Sequence, residues 1–253
     1  MKLCVDVGNT TINIGFYQDD KLINQYIFAS GNKKAPYFYA LFKDTFKEKE
    51  VEDIIFSSVV PSIDNALLKA LKKLYNAPIY FVNVKDIDLK MNIDNKEEVG
   101  SDLICDLVGA KAKYTLPLLV VDLGTATKYL YLDKEGIFQS ALIVPGLKLS
   151  IKALFSSTDL LPEVDLSKPT SIMDSKNTIK CIKNGILFSH VSAIEGISKQ
   201  YQKENKDKLS IIITGGDMDL VRPLLDENKY IFDDHLILDG EVIIFNKMKE
   251  RRS

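Results

Sequence analysis

Two stretches of this chain repeat one pattern. Residues 5–17, VDVGNTTINIGFY, and residues 121–132, VDLGTATKYLYL, each carry an apolar run, an Asp-x-Gly turn and a second apolar run. Aligned without a gap through the turn, Asp6 pairs with Asp122, Gly8 with Gly124 and Thr10 with Ala126. The offset is 116 residues in a chain of 253. A repeat at nearly half the chain length points to two related halves.

The surroundings of each copy agree with that reading. Residues 2–8, 11–17 and 21–28 read as three strands of a meander. Helical spacing follows over 36–48, a strand over 53–59, a helix over 62–75 and a strand over 79–82. The pattern restarts with a helix over 103–113 and strands over 118–122, 127–132 and 137–143. Helices are expected over 146–155, 175–204 and 217–226, strands over 209–213 and 236–238, and a last helix over 240–250. Each half is then an α/β unit, a mixed sheet flanked by helices. The Lys-, Asp-, Asn- and Glu-rich stretch near 84–100 is the best boundary, giving an N-terminal half over 1–95 and a C-terminal half over 96–253.

Composition removes several function classes. The net charge is −2, so no basic face is expected and nucleic acid is not an expected partner. Lys247, Lys249, Arg251 and Arg252 read as a solvated tail. Cys4, Cys105 and Cys181 have no metal-binding spacing and read as buried free thiols in a reducing compartment. No apolar stretch approaches the roughly 18 residues of a membrane span, so no membrane partner is expected. The N-terminus opens on a strand pattern without a signal-peptide layout, and a cytoplasmic location is expected. There is no GxxxxGK[ST], GxGxxG or HExxH, and His190 and His235 read as structural.

The repeated turn suits a nucleotide. Backbone N–H groups and a hydroxyl can approach phosphate oxygens closely, and glycine leaves room for that approach. A carboxylate at the strand end can hold hydrated Mg²⁺. Two such hairpins facing each other would clamp a polyphosphate. A third element is the apolar strand 209–213 ending in Thr214-Gly215-Gly216-Asp217. Paired glycines there would let a ligand lie against the backbone; the alternative is a tight turn with Asp217 as a helix N-cap.

With these motifs in place, the chain resembles the type III pantothenate kinases. The resemblance is carried in order by VDVGNT at 5–10, FSSVVP at 56–61, GSD at 100–102, VDLGTAT at 121–127 and VPG at 144–146. It continues with LP at 161–162, KNTIKCIKNG at 176–185, TGGD at 214–217 and HLILDG at 235–240. It implies the actin-like ATPase fold shared with acetate and sugar kinases, with two duplicated ribonuclease-H-like halves. It implies phosphorylation of pantothenate to 4'-phosphopantothenate by ATP, the first step of coenzyme A synthesis. It further implies a homodimer, Mg²⁺, and a monovalent cation, K⁺ or NH₄⁺.

Residue by residue, the resemblance makes Asp6, Val7, Gly8, Asn9, Thr10, Thr11, Ile12 and Asn13 the first phosphate loop. Thr125 joins them on ATP, and Gly215 and Gly216 are expected on the nucleotide as well. Asp6 would hold Mg²⁺ through water, and Asp122 the monovalent cation. Asp102 would be the general base, within a substrate segment Gly100, Ser101, Asp102 and Leu103. The other reading of Asp102 is a helix N-cap. Thr178 would touch pantothenate across the dimer interface.

Four positions depart from the family's usual residues. Leu103 stands for an Arg, Ile93 for a Tyr, Lys128 for a Thr, and Ser140-Ala141 for Gly-Gly. Weak phosphorylation of pantothenate, with a high KM, or none at all is therefore expected, unless Lys128 or Lys148 supplies the missing charge. A non-catalytic nucleotide-binding relative and a kinase of another small alcohol or acid are the competing readings.

Overall fold

A computed structural model describes residues 1–46, 49–83, 87–158, 160–167 and 169–251. The chain forms two compact units. One comprises Met1–Asp88, Asp94–Ala112 and His235–Ser253, the other Leu89–Ile93 and Lys113–Asp234.

The first unit holds β1 (Lys2–Val7), β2 (Thr11–Gln18), β3 (Lys21–Ala29), α1 (Ala35–Phe46), β4 (Asp53–Ser58), α2 (Pro61–Leu74) and β5 (Ile79–Phe81). Its sheet runs β3-β2-β1-β4-β5. The hairpin pairs are antiparallel, and β1-β4 and β4-β5 are parallel. Alternation along β1 sends Leu3, Val5 and Val7 into a core with Phe38, Phe42 and Phe46 of α1 and Leu67 and Leu71 of α2. Phe38, Phe42 and Phe46 recur every fourth residue, so they share one face of α1. Pro61 opens α2 at a position where a missing N–H costs nothing, and Lys72 and Lys73 close it. Cys4 and Asp6 take the opposite face of the sheet. Two more helices belong to this unit, α3 (Ser101–Lys113, through Ala112) and α7 (Leu236–Glu250), and α7 packs on β1.

The second unit repeats the topology. It holds β6 (Leu118–Leu123), β7 (Ala126–Leu132), β8 (Phe138–Pro145), α4 (Leu147–Ser156), α5 (Thr178–Asn205), β9 (Ser210–Thr214), α6 (Met218–Val221) and β10 (Ile231–Phe232). Its sheet runs β10-β9-β6-β7-β8, again with antiparallel hairpins and parallel β6-β9 and β9-β10 pairs. Leu119, Val121 and Leu123 meet Leu187, Val191 and Ile194 of α5 in its core. Asn177 caps α5 by accepting from Lys180 N–H at 3.0 Å.

Several expectations need correction. Residues 236–238 are not a strand but the first turn of α7. Their apolar run continues at helical spacing through Val242, Phe245 and Met248, and three residues are too few to tell the two periods apart. The last strand is instead Ile231–Phe232. The helix expected over 217–226 is a four-residue α6 followed by a 3-10 turn over Arg222–Leu224. The expected helix 36–48 ends at Phe46, and its residues 47 and 48 lie outside the described ones, as do 84–86 of the expected boundary stretch.

A division at 95/96 runs along the chain, whereas the units are discontinuous. Residues 89–93 lie on β8, with Asn92 N–H on the Phe138 carbonyl and Phe138 N–H on the Lys90 carbonyl, both at 2.9 Å. The hairpins also differ in length. Val7 faces Ile12 across four residues, but Leu123 faces Thr127 across three. The gapless alignment therefore fails after the turn, and Lys128 corresponds to Asn13, not Ile12. Cys181 is exposed rather than buried. Lys249 is no free tail residue: it pairs with Asp53 at 3.1 Å, while Arg252 lies outside the described residues. Among the described residues no helix is long and apolar enough to cross a membrane.

Candidate functional site

In the first unit the candidate residues gather at the carboxyl end of β1. Asp6 is 8% exposed, with Asn13 of β2 opposite it on one side and Ser57 of β4 on the other. Gly8 N–H donates to the Thr11 carbonyl at 2.9 Å and closes the turn. Ser30 holds the loop from the end of β3, donating from Oγ to the Gly8 carbonyl at 2.6 Å and from N–H to the Thr10 carbonyl at 2.8 Å. Asn9, Thr10 and Thr11 are thereby presented to solvent. Val7 and Ile12, expected to contact ATP, bury their side chains fully in the core, so only their backbones can face a ligand. Asn13 Oδ1 accepts from Gln25 Nε2 at 2.9 Å.

A serine relay joins this end of the sheet to α3. Ser57 Oγ donates to Ser101 Oγ at 3.0 Å, and Ser101 Oγ donates to the Ser58 carbonyl at 3.2 Å. Ser101 is the first residue of α3 and Asp102 the second. Asp102 is thus inside the first turn rather than at the N-cap, and its Oδ1 accepts from Leu103 N–H at 2.8 Å. Its carboxylate lies over Gly100, where a Cβ would overlap Oδ1. That close approach is a physical reason for Gly100 in the GSD motif.

Behind β1 lies a group that the sequence reading missed. Glu241 of α7 is fully buried, and burial, then the charge of Asp6, pushes its carboxyl well above the usual range. Neither of its oxygens makes a hydrogen bond of ordinary geometry; the Cys4 thiol and the Val5 amide come nearest to doing so. Burial, then Glu241, raises the thiols of Cys4 and Cys105 as well, so both are inert.

In the second unit Asp122 stands at the equivalent strand end. Gly124 N–H donates to the Ala126 carbonyl at 3.3 Å, and Gly146 N–H donates to the Thr125 carbonyl at 3.0 Å. Gly146, from the VPG motif, packs on this hairpin so tightly that a Cβ would overlap the Gly124 carbonyl. Gly215 has φ +97° and presses against Asp122 and Leu123, leaving no space for a side chain. Gly216 beside it faces open space. Asp217 occupies the N-cap position of α6 but makes no capping bond; its carboxylate instead pairs with Lys148 Nζ at 2.6 Å. Lys128 Nζ lies 2.8 Å from Asp122 Oδ2. The two lysines weighed as substitutes for the missing Arg are therefore both engaged with carboxylates.

Thr178 is the first residue of α5 and is exposed, and Ile93 lies in the segment on β8. His190 turns its ring nitrogens to the carbonyls of Ile186 and Pro145, as a structural histidine does. Among the described residues no group of three or more His, Cys, Asp or Glu could hold a metal ion. The Asp6 carboxylate beside the exposed β1–β2 turn still fits Mg²⁺, which keeps its waters and takes one or two carboxylates plus substrate phosphates.

Known proteins resemble this chain along nearly its whole length. The profile of the family described as Type III pantothenate kinase matches residues 2–200. A Type III pantothenate kinase of Citrifermentans bemidjiense is 34% identical over 257 residues, covering 98% of this chain and 100% of its own. One of Persephonella marina is 34% identical over 253 residues, covering 97% and 98%. In structure, component A of the (R)-2-hydroxyglutaryl-CoA dehydratase of Acidaminococcus fermentans aligns over 100% of this chain and 99% of its own. Its TM-score is 0.54 and its identity 14%, a likeness of fold alone. The duplicated α/β halves have the fold expected of an actin-like ATPase or sugar kinase. A putative 2-dehydro-3-deoxygalactonokinase of Sinorhizobium meliloti shares it, with a TM-score of 0.58 and 11% identity over 96% of this chain and 98% of its own.

Proposed function

The chain belongs to the type III pantothenate kinase family, and we propose that it transfers the γ-phosphoryl group of ATP to the primary alcohol of pantothenate. The product is 4'-phosphopantothenate, on the way to coenzyme A. The observation that carries the chemical part is the Asp102 carboxylate, fixed over Gly100 in the first turn of α3.

In this reading Asp102 accepts the hydroxyl proton as the alcohol oxygen forms its bond to phosphorus and the bond to the ADP oxygen breaks. In the first hairpin the amides of Asn9 to Thr11 would hold phosphate oxygens, the Gly8 N–H being taken by the Thr11 carbonyl, and in the second the backbones of Thr125 and Gly216 would do so. Mg²⁺, when bound through water to Asp6, neutralises phosphate charge. The expected monovalent ion is a different matter, because Asp122 already carries the ammonium group of Lys128.

The homodimer belongs to the same proposal. Edge strand β8 exposes Leu142 and Ile143, α4 exposes Leu149, Leu154 and Phe155, and Ile172, Met173 and Ile179, near Thr178 in sequence, are exposed too. Apolar side chains in such number suit a second copy of this chain. Ile143→Glu should then shift the protein toward monomer in sedimentation.

The test of the function is direct. Incubate the protein with Mg-ATP and pantothenate, follow ADP, and identify the product by mass. Phosphopantothenate is expected. ADP release with another small alcohol but not with pantothenate would replace the substrate, and no turnover with any would leave a nucleotide-binding relative.

A further inference from the structure

Asp122 and Lys128 are direct cross-strand partners in the β6-β7 ladder. Lys128 Nζ donates to Asp122 Oδ2 at 2.8 Å, and the side chains are only 17% and 13% exposed. Gly215 closes on Asp122 Oδ1 without room for a Cβ. A lysine free in solvent would contribute little to such a pair. Here the ladder fixes both residues, and the result is a single positive charge held at the foot of the second hairpin.

The shorter hairpin puts it there. In the first unit Asn13 stands opposite Asp6, and an amide carries no charge. In the second, removing one residue from the turn brings position 128 onto the face of Asp122. A slip of one residue would have turned the lysine to the other side of the sheet.

We propose that the Lys128 ammonium takes the place of the monovalent cation expected at Asp122, so that the protein binds and uses Mg-ATP without added K⁺ or NH₄⁺. The inference rests on the kinase reading for what the hairpin binds. An ammonium group and K⁺ each bring one positive charge to a carboxylate beside phosphate-binding amides. K⁺ could reach Asp122 only by displacing a lysine already hydrogen-bonded to it. The lysine is tethered by its own chain, so its effective concentration exceeds that of a free ion.

The experiment measures Mg-ATP binding by calorimetry, in a buffer whose only monovalent cation is tetramethylammonium, with K⁺ or NH₄⁺ then added. Wild type should bind equally well before and after the addition. Lys128→Ala should bind about ten- to hundredfold more weakly, the loss expected for a charge-assisted contact, and recover when K⁺ or NH₄⁺ fills the vacated place. Lys128→Met combined with Asp122→Asn removes both charges, leaves no unpaired carboxylate, and should bind weakly in every salt. Thermal unfolding checks that each variant is folded. Three results would overturn the proposal: a wild type whose affinity rises about tenfold or more with K⁺, a Lys128→Ala variant indifferent to both ions, or a double variant rescued by them. Absence of Mg-ATP binding by wild type in any buffer would overturn the kinase reading itself, and this proposal with it.

Discussion

Gly240 in α7 meets the backbone carbonyl of Cys105 in α3 so closely that a Cβ atom there would overlap it. Gly109 of α3 meets the Leu236 carbonyl in the same manner. The two helices are thus in near backbone contact, and the helix so held is the one that carries Asp102. Gly240→Ala should force them apart and destabilise the fold by about 1–3 kcal/mol, the usual cost of overpacking. Gly185→Ala in α5, where an added Cβ meets nothing, is the control and should be neutral or stabilising by up to about 1 kcal/mol. Urea denaturation with an unchanged m-value would record the difference.

Glu241 gives a prediction in pH. In the folded state it keeps its proton above the range where an exposed carboxyl loses it. Its contribution to stability is therefore fully present below the unfolded value of about 4.3. Above that the unfolded chain sheds a proton that the native state retains. Stability then falls by about 1.4 kcal/mol per pH unit, until Glu241 itself ionises. Glu241→Gln mimics the protonated form and removes this loss. Its stability relative to wild type should grow as the pH rises above the unfolded value of about 4.3. A difference independent of pH would show that Glu241 is ionised when buried.

Much of the architecture was legible, for physical reasons. The strands of both sheets announce themselves by apolar runs and by Asp-x-Gly turns, and repetition pointed to two related sheets but not to units whose segments alternate along the chain. What misled was local ambiguity. Leu236-Ile237-Leu238 carries no period long enough to separate strand from helix, and only packing against α3 decides it. A one-residue difference between two turns is invisible when both read as glycine followed by small polar residues. That difference hid the Asp122–Lys128 pair. At the site, Asp102 and the glycines stood out as types, but the Ser57–Ser101 relay and buried Glu241 did not. Contacts between elements distant in sequence leave no periodic trace.

Asp102→Asn tests the base. The amide keeps the shape and can still accept from Leu103 N–H, so α3 should start unchanged. Mg-ATP binding should persist while phosphoryl transfer falls by about 10²–10⁴. Near-normal turnover would remove Asp102 from the reaction.

Asp6→Ala tests the first hairpin. Val7 and Ile12 anchor the loop in the core and Ser30 holds it from β3, so its backbone should survive the change. What is lost is the carboxylate proposed to hold hydrated Mg²⁺. Calorimetry should then show weaker Mg-ATP binding, and turnover should fall even where binding is restored by excess ATP. Unaltered binding together with unaltered turnover would exclude Asp6 from the nucleotide site.

The last prediction concerns the substrate end. The family resemblance places an Arg and a Tyr on pantothenate where this chain has Leu103 and Ile93. Leucine offers no donor, and charge-assisted hydrogen bonds contribute about 1.5–3 kcal/mol each, a ten- to hundredfold effect on binding. Lys128 and Lys148 were the side chains best suited to compensate, but each is already ion-paired, with Asp122 and Asp217. Wild type should therefore show a high KM for pantothenate. Leu103→Arg with Ile93→Tyr should lower that KM and raise kcat/KM by about tenfold or more, while leaving the KM for ATP unchanged. ADP release measured against pantothenate concentration, for wild type and the double variant, reads both effects. A low-micromolar KM in the wild type would show that another group already holds the substrate's polar end, and the argument from Leu103 and Ile93 would fail.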